Sequence, residues 1–287
     1  MSRIAYVNGR FVPHDDAQVH VEDRGYQFSD GVYEVVLVQD GAMVDEIPHL
    51  DRLDRSLKEL RIAEPMSRAA LRSVIRELVR LNRIKTGLVY MQVTRGVARR
   101  DHPFPKNAAP ALVMTAKRIS MPSPETVENG VKVITIPDLR WERRDIKSVS
   151  LLPNVLGKQQ AREAGAYEAW QVDGDGNVTE GTSTNAWIVT QDGELITRPA
   201  TADILNGITR LSILKLADRQ GLKFVERAFS VDEAKSAREA FVSSATSFVT
   251  PVTQIDDTVI GNGKAGTLSS GLRDSYLDYA AGEGRTV

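Results

Sequence analysis

The chain has 287 residues, 41% hydrophobic and 26% charged, which suits an ordinary globular protein of one large or two modest domains. Lysine and arginine total 37 against 38 aspartate and glutamate, a formal net charge of −1, so bulk electrostatic binding to nucleic acid or an anionic membrane is excluded. Cysteine is absent, which excludes disulfides, thiolate catalysis and cysteine-ligated metals and fits a cytoplasmic home.

The first nine residues contain no apolar signal core, and no apolar run approaches a bilayer span, so the chain reads as a complete soluble protein. Residues 4–7 and 10–12 flank Asn8-Gly9, a turn signal, and predict a β-hairpin. Residues 32–38 are rich in β-branched side chains and turn at Asp40-Gly41 into a second strand at 42–44. The period then changes. Leu50, Leu53, Leu57 and Leu60 stand three or four apart and form one apolar helical stripe. Ser67 caps a further predicted helix with Leu71, Val74, Ile75, Leu78 and Leu81 on its buried face. Strands at 88–94 and 111–116 complete an α/β unit.

Ser120-Met121-Pro122-Ser123-Pro124 is the candidate linker, dividing a small N-terminal domain (1–119) from a larger C-terminal one (125–287). Beyond it, a strand is predicted at 131–136, a helix at 155–164 stopped by Gly165, and a strand at 167–172. Strands at 186–189 and 194–197 flank Asp192-Gly193, and a helix over 209–220 closes at Gly221. Short strands at 241–242 and 252–255 precede a final helix over 268–281. Hairpins and helices alternate without a regular βαβ beat, so the class is α+β in two domains.

Two signals are set aside. Gly261-Asn262-Gly263-Lys264-Ala265-Gly266 fits a dinucleotide fingerprint, but its preceding strand is short and too little chain follows for the rest of that fold; it reads as a surface turn. His14, His20, His49 and His102 have no metal-ligand spacing, so no metal site is expected.

Five stretches stand out together: Pro48-His49-Leu50-Asp51-Arg52-Leu53; the run from Asp145 through Lys147 to Asn154; Val178-Thr179-Glu180-Gly181-Thr182-Ser183-Thr184-Asn185; Asp203-Ile204-Leu205-Asn206-Gly207-Ile208-Thr209-Arg210; and the run from Phe241 to Pro251. In combination, from about Tyr6 to near Gly266, they resemble the fold-type IV family of pyridoxal-phosphate enzymes. That family includes D-amino acid aminotransferase, branched-chain aminotransferase and aminodeoxychorismate lyase. The resemblance implies a two-domain α+β fold-type IV architecture and pyridoxal 5′-phosphate as cofactor.

Residue by residue, the resemblance makes Lys147 the Schiff-base lysine. That chemistry needs a partly desolvated amine that binds the cofactor aldehyde and then shuttles a proton. The apolar neighbours Val149, Leu151 and Leu152 are consistent with this, although alone Lys147 would read as a solvated surface lysine. The resemblance sets Glu180 against the pyridine nitrogen and has Arg52 clamp the phosphate, for which a planar guanidinium is suited. Gly207, Ile208 and Thr209 seat the phosphate at a helix start, where backbone amides are unpaired; Asn206 capping that helix is an alternative that can hold as well. Leu205 packs on the ring, and Ser183 belongs to the cofactor set. The second phosphate loop matches Ser244, Ala245 and Thr246, but Ala245 stands where relatives carry a threonine and Phe248 where an acid is common. Arg140 contacts the cofactor ring oxygen or supports the surroundings of Lys147.

The loop from Thr94 to Pro105 resembles the D-amino acid aminotransferase version. It assigns the substrate carboxylate to Arg100 and His102, with Tyr33 from the N-terminal strand; Arg99 beside Arg100 leaves open which one points inward. Alternation along a strand means that Phe28, Tyr33 and Glu34 cannot all face the site. The reaction so implied is transamination between a D-amino acid, D-alanine-like, and a 2-oxo acid such as 2-oxoglutarate, in a homodimer. An L-branched-chain aminotransferase and aminodeoxychorismate lyase are the alternatives on the same fold.

Overall fold

The computed structural model describes residues 3–286. Met1 and Ser2, which head the stretch read as lacking a signal core, and Val287 lie outside the described residues. Contacts divide the chain into two compact units. One holds the chain up to Ser120, the segment Ile146–Ser150 and everything from Ala280; the other holds Met121–Asp145 and Leu151–Tyr279.

The first unit opens with the hairpin β1 (Ile4–Val7) and β2 (Arg10–Pro13), followed by a short helix, α1 (Arg24–Phe28). Then come β3 (Gly31–Gln39), β4 (Ala42–Val44), α2 (Glu46–Glu59), α3 (Arg68–Leu81), β5 (Gly87–Thr94) and β6 (Ala111–Arg118). With the C-terminal strand Arg285–Thr286, they form a seven-stranded sheet in which every pairing is antiparallel. The expected α/β unit is therefore an antiparallel sheet with helices: β3–β4 and β5–β6 are hairpins, and α2 and α3 carry the chain past β3 from β4 to β5. The leucine stripe is buried as its spacing predicts: Leu50, Leu53 and Leu57 of α2 and Leu71, Ile75 and Leu78 of α3 share a core with Val36, Val89, Met91 and Met114. Leu60 and Val74 pack at its margin. Ser67 caps α3 by accepting from the Ala70 amide at 3.3 Å.

The second unit runs α4 (Pro124–Asn129), β7 (Val131–Pro137), α5 (Leu152–Glu163), β8 (Glu168–Val172), β9 (Val178–Gly181), β10 (Asn185–Val189) and β11 (Leu195–Thr197). It continues with α6 (Ile208–Arg219), β12 (Phe224–Glu226), α7 (Val231–Lys235), β13 (Glu239–Ser244), β14 (Phe248–Ile255), β15 (Thr258–Val259) and α8 (Thr267–Ala281); β16 is the terminal strand Arg285–Thr286. Its nine-stranded sheet has the order β12-β11-β10-β13-β14-β7-β8-β9, with β15 on β14. The pairs β11–β12, β14–β7 and β7–β8 are parallel and the rest antiparallel. Trp170, Ile188, Phe229, Val242, Val252 and Ile255 centre its core.

The prolines of residues 120–124 do more than stiffen a passage. Ser123 accepts from the Thr126 amide and Pro124 occupies the first turn of α4. Pro153 likewise starts α5 at Leu152, earlier than the apolar periodicity indicates. The glycine-rich stretch at 261–266 lies in a turn between β15 and α8, with Gly261 at φ 56° and Gly263 at φ 76°. Among the described residues no helix is long and apolar enough to cross a membrane.

Candidate active site

Two groups of functional side chains emerge, one in each unit. In the first, Ile146 is buried in the leucine core and anchors the segment that carries Lys147. The Tyr33 amide donates to the Lys147 carbonyl at 3.0 Å, and the Val149 amide to the Gly31 carbonyl at 3.0 Å. The Lys147 amide also approaches Ser56 Oγ at 3.4 Å. Lys147 is half-buried, and its Nζ lies 4.2 Å from the centroid of the Tyr33 ring, a cation–π distance. Tyr90, on the neighbouring strand, lies 5.6 Å from Tyr33 and donates to Gln92 Oε1 at 2.6 Å. Burial, with Tyr33 nearby, pushes the Tyr90 phenol up to about 12, so it remains a protonated donor at neutral pH.

Glu34 follows Tyr33 and so faces the other side of β3. There it is 0% exposed. Arg52 grips it from two edges, Nε to Oε1 at 2.7 Å and Nη2 to Oε2 at 2.8 Å, and His49 Nδ1 adds a contact to Oε2 at 2.8 Å. His49 and Arg52 are three apart on α2 and share one face. Burial works against the charge on Glu34, but Arg52 and His49 outweigh it and hold the carboxyl far below the usual range. Burial also pushes His49 down, partly offset by Glu34. Arg52, expected as a phosphate clamp, is thus fixed by an acid that sequence reasoning left unassigned. The available signal was a carboxylate inside a β-branched strand, which needs a cation when buried.

The loop expected to bind the substrate carboxylate is pinned at its base. Asp30 takes a bidentate contact from Arg95 at 2.7 and 2.9 Å and a further one from Arg24 at 2.8 Å. Burial opposes the Asp30 charge, but these hydrogen bonds outweigh it and lower its carboxyl. Arg100 and His102 are exposed and gather at Phe28, at 5.1 Å and 5.5 Å from its ring. Phe28 ends α1 rather than lying on the strand with Tyr33 and Glu34; Asp23 caps that helix by accepting from the Gly25 amide, a local signal too short to read from periodicity.

In the second unit Glu180 is buried on β9. It is hydrogen-bonded by Arg140 Nη1, by Asn185 Nδ2 at 3.1 Å and by the Leu205 amide at 3.2 Å. Asp138 holds Arg140 from behind, accepting from Nε at 2.9 Å and from Nη2 at 2.8 Å. Burial pushes the Glu180 carboxyl up, while Arg140 and the Leu205 amide pull it back toward ionisation. Leu205 thus orients Glu180 through its backbone. Asn185 bridges the two, donating also to the Leu205 carbonyl at 3.0 Å. Ser183 joins a different acid, the fully buried Glu168, through its hydroxyl at 2.8 Å, beside Thr182 and Thr184. Asp138, Glu168 and Asn185 hold candidate residues by hydrogen bonds and were not singled out from the sequence, although Asp138 stands two residues before Arg140 and Asn185 closes the motif from Val178.

The N-cap of α6 is Gly207, with no side-chain cap hydrogen bond. Asn206, the alternative cap, stands one residue before that position, and its Oδ1 accepts from Arg210 Nη1 at 3.4 Å. Gly207 offers no side chain to the first amides of α6, and such a helix start suits an anion. A Cβ on Gly207 would lie 2.1 Å from Asn185 Oδ1. Gly207→Ala is accordingly expected to displace Asn185 from Glu180 and cost about 1–3 kcal/mol, measured as a lowered Tm; an unchanged melt would show that Asn185 yields freely.

Ser244 and Phe248 close the β13–β14 turn around Ala245, Thr246 and Ser247. Ser244 Oγ accepts from the amides of Thr246 at 3.3 Å and Ser247 at 3.0 Å. Phe248 sits at φ 55°, where a three-residue turn ordinarily has glycine, at a cost of roughly 1–2 kcal/mol.

Residues 31–255 match the family described as Amino-transferase class IV. D-alanine aminotransferase of Bacillus licheniformis is 43% identical over 278 residues, covering 96% of this chain and 97% of that protein. The D-alanine aminotransferase of Staphylococcus aureus strain N315 is 42% identical over 275 residues, covering 96% of each. Among solved structures, Escherichia coli branched-chain amino acid aminotransferase matches with a TM-score of 0.91 at 25% identity, covering 99% of this chain and 96% of that one. The T.th. branched-chain amino acid aminotransferase with pyridoxamine 5′-phosphate matches at 0.90 and 27%, covering 98% and 95%. With the family match spanning well over half of the sequence and relatives aligned along nearly their whole length, the chain belongs to the class IV aminotransferase family.

Proposed function

We propose that this chain is a pyridoxal-phosphate-dependent aminotransferase that exchanges an amino group between a D-amino acid, D-alanine-like, and a 2-oxo acid such as 2-oxoglutarate. The observation that carries this reading is Lys147: a half-buried amine over Tyr33 on a backbone fixed to β3. The D configuration is supported by the relatives and by the loop bearing Arg100 and His102.

The residues fit the cofactor. The uncapped start of α6 suits a phosphate, and the buried Glu180 suits a protonated ring nitrogen. When bound, the cofactor supplies an aldehyde that captures amino groups and a ring that accepts electrons from the α-carbon. In this reading Lys147 Nζ would hold the cofactor and would move the substrate's α-proton. Glu180, whose proton affinity burial raises, is a strong acceptor for a ring N–H, and Arg140 and Asp138 fix its position. Leu205 would pack on the ring, and Ser183, hydrogen-bonded to Glu168, would belong to the same cofactor set. Arg52, Gly207, Ile208, Thr209 and the Ser244-Ala245-Thr246 turn hold the phosphate, with Ala245 able to give only its amide. Arg100, His102 and Tyr33 hold the substrate carboxylate. That grip fixes which face of the α-carbon meets the lysine and therefore which enantiomer reacts.

A homodimer belongs to the same reading. Leu152, Val155 and Leu156 lie on one face of α5 at 69%, 59% and 62% exposure, an apolar patch suited to a second copy. We place the protein in the cytoplasm.

The test is a half-reaction titration of purified protein with D- and L-amino acids, following the cofactor spectrum. D-alanine is expected to convert the cofactor to its aminated form. Faster conversion by L-leucine would favour the branched-chain alternative, and pyruvate release from aminodeoxychorismate without an amino acceptor would favour the lyase.

A further inference from the structure

Helix α8 touches both turns assigned to the phosphate. Tyr276 brings its hydroxyl within 3.5 Å of Thr209 Oγ1 on α6, and its ring lies 6.3 Å from that of Phe248. Arg273, three residues earlier on the same face, donates from Nη1 to the Val249 carbonyl at 2.7 Å, just past the β13–β14 turn. Its guanidinium carbon is 5.8 Å from the Phe248 ring centroid.

Arg273 is 4% exposed. Among the described residues its hydrogen bonding is confined to that carbonyl, and the neighbouring Asp274 acts on its charge without forming an ion pair. A guanidinium offers five donors, and burying one without a counterion is unfavourable. The adjoining chain already has two features of an anion site. The α6 start has amides without a side-chain cap, and the Ala245 turn is held in shape by Ser244 and by a phenylalanine in a left-handed conformation.

We propose that Arg273 is a cofactor-positioning residue that supplies buried positive charge to the phosphate seated between the α6 start and the β13–β14 turn, offsetting the hydroxyl that Ala245 does not provide. The proposal rests on the pyridoxal-phosphate reading above. Arg273 acts behind the turn: its hydrogen bond to Val249 fixes the strand that follows, and its charge favours a dianion in the low-dielectric pocket of amides. Phe248, in van der Waals range of Tyr276 and near Arg273, keeps water from screening that charge.

The experiment compares binding of pyridoxal 5′-phosphate and of pyridoxal, which lacks the phosphate, to the full-length chain freed of cofactor, by calorimetry. Arg273→Gln is expected to weaken pyridoxal 5′-phosphate about tenfold or more while leaving pyridoxal unchanged. An unaltered affinity for pyridoxal 5′-phosphate would overturn the proposal. So would an equal loss for both compounds, which is the signature of a merely structural arginine. Should the glutamine variant not fold, Arg273→Lys decides. Lysine keeps the charge but not the fork, so a smaller loss confined to pyridoxal 5′-phosphate supports the proposal, and no loss or an equal loss overturns it. If the unaltered chain itself bound both compounds equally, the phosphate assignment as a whole would fail, distinguishably from Arg273 alone.

Discussion

Lys147→Ala is expected to lower transamination of D-alanine by roughly 10⁴-fold, with little change in Tm when both proteins are compared free of cofactor. The chemical loss is large because one amine is assigned both the covalent hold on the cofactor and the proton transfer. The structural loss is small because the backbone contacts of residue 147, to Tyr33 and to Ser56 Oγ, do not involve its side chain. Only the contact of Nζ with the Tyr33 ring is removed. The check is a mass spectrum of borohydride-reduced protein. The unaltered chain should carry a pyridoxyl group on the peptide containing Lys147, and the variant should carry none. A pyridoxyl group on another side chain of the unaltered protein would end the assignment.

Glu34→Ala should have the largest effect on stability, a loss of about 3–5 kcal/mol. It removes the buried acid on which Arg52 and His49 converge and takes the carboxylate away from a buried guanidinium. Denaturant unfolding measures it, and a loss below about 1 kcal/mol would mean that solvent or rearrangement compensates Arg52. The same triad sets an acid limb. A carboxyl whose folded pKa is depressed contributes stability above its unfolded value, and that contribution is lost as pH falls through the folded value. For Glu34 the decline should begin below about pH 4. His49, a base depressed by burial, adds a decline of the same sign that starts at its ordinary titration near about pH 6.5, because the unfolded chain takes up that proton more readily. Glu34→Gln should flatten the lower part of this profile.

Much of the fold was legible because its elements are long and strongly patterned. The leucine stripe of α2, the Ser67 cap and the Asn8-Gly9 and Asp40-Gly41 turns each carry a local physical signal, and each forms as read. The short elements were not legible. α1 depends on one Asp23 cap, and β16 on pairing with Val44 and Met43 of a strand far earlier in the chain. The segment Ile146–Ser150 reads as a piece of its own neighbourhood, yet its hydrogen bonds go to β3, a contact that no periodicity encodes. For the site, it was the family resemblance carried by the five motifs together that selected Lys147, Glu180 and Arg52 as candidates; each alone reads as an ordinary charged residue. Their partners were not selected, because Glu34, Asp138, Glu168 and Asn185 work through tertiary hydrogen bonds. An acid in a strand or an asparagine after a threonine looks ordinary until its buried neighbour is known.

The pairing of residues 147 and 149 with β3 bears on how the carrier amine moves. Its main chain is held to β3 by an isolated bridge, Val32 to Ser148, with a hydrogen bond on either side, so the amides of Tyr33 and Val149 should be protected from exchange with deuterium. Whatever travel the amine needs between holding the cofactor and passing a proton must come from rotamer changes along the four-methylene arm, on the picosecond-to-nanosecond scale of partly exposed side chains. Loop opening, orders of magnitude slower, is not required of the lysine itself.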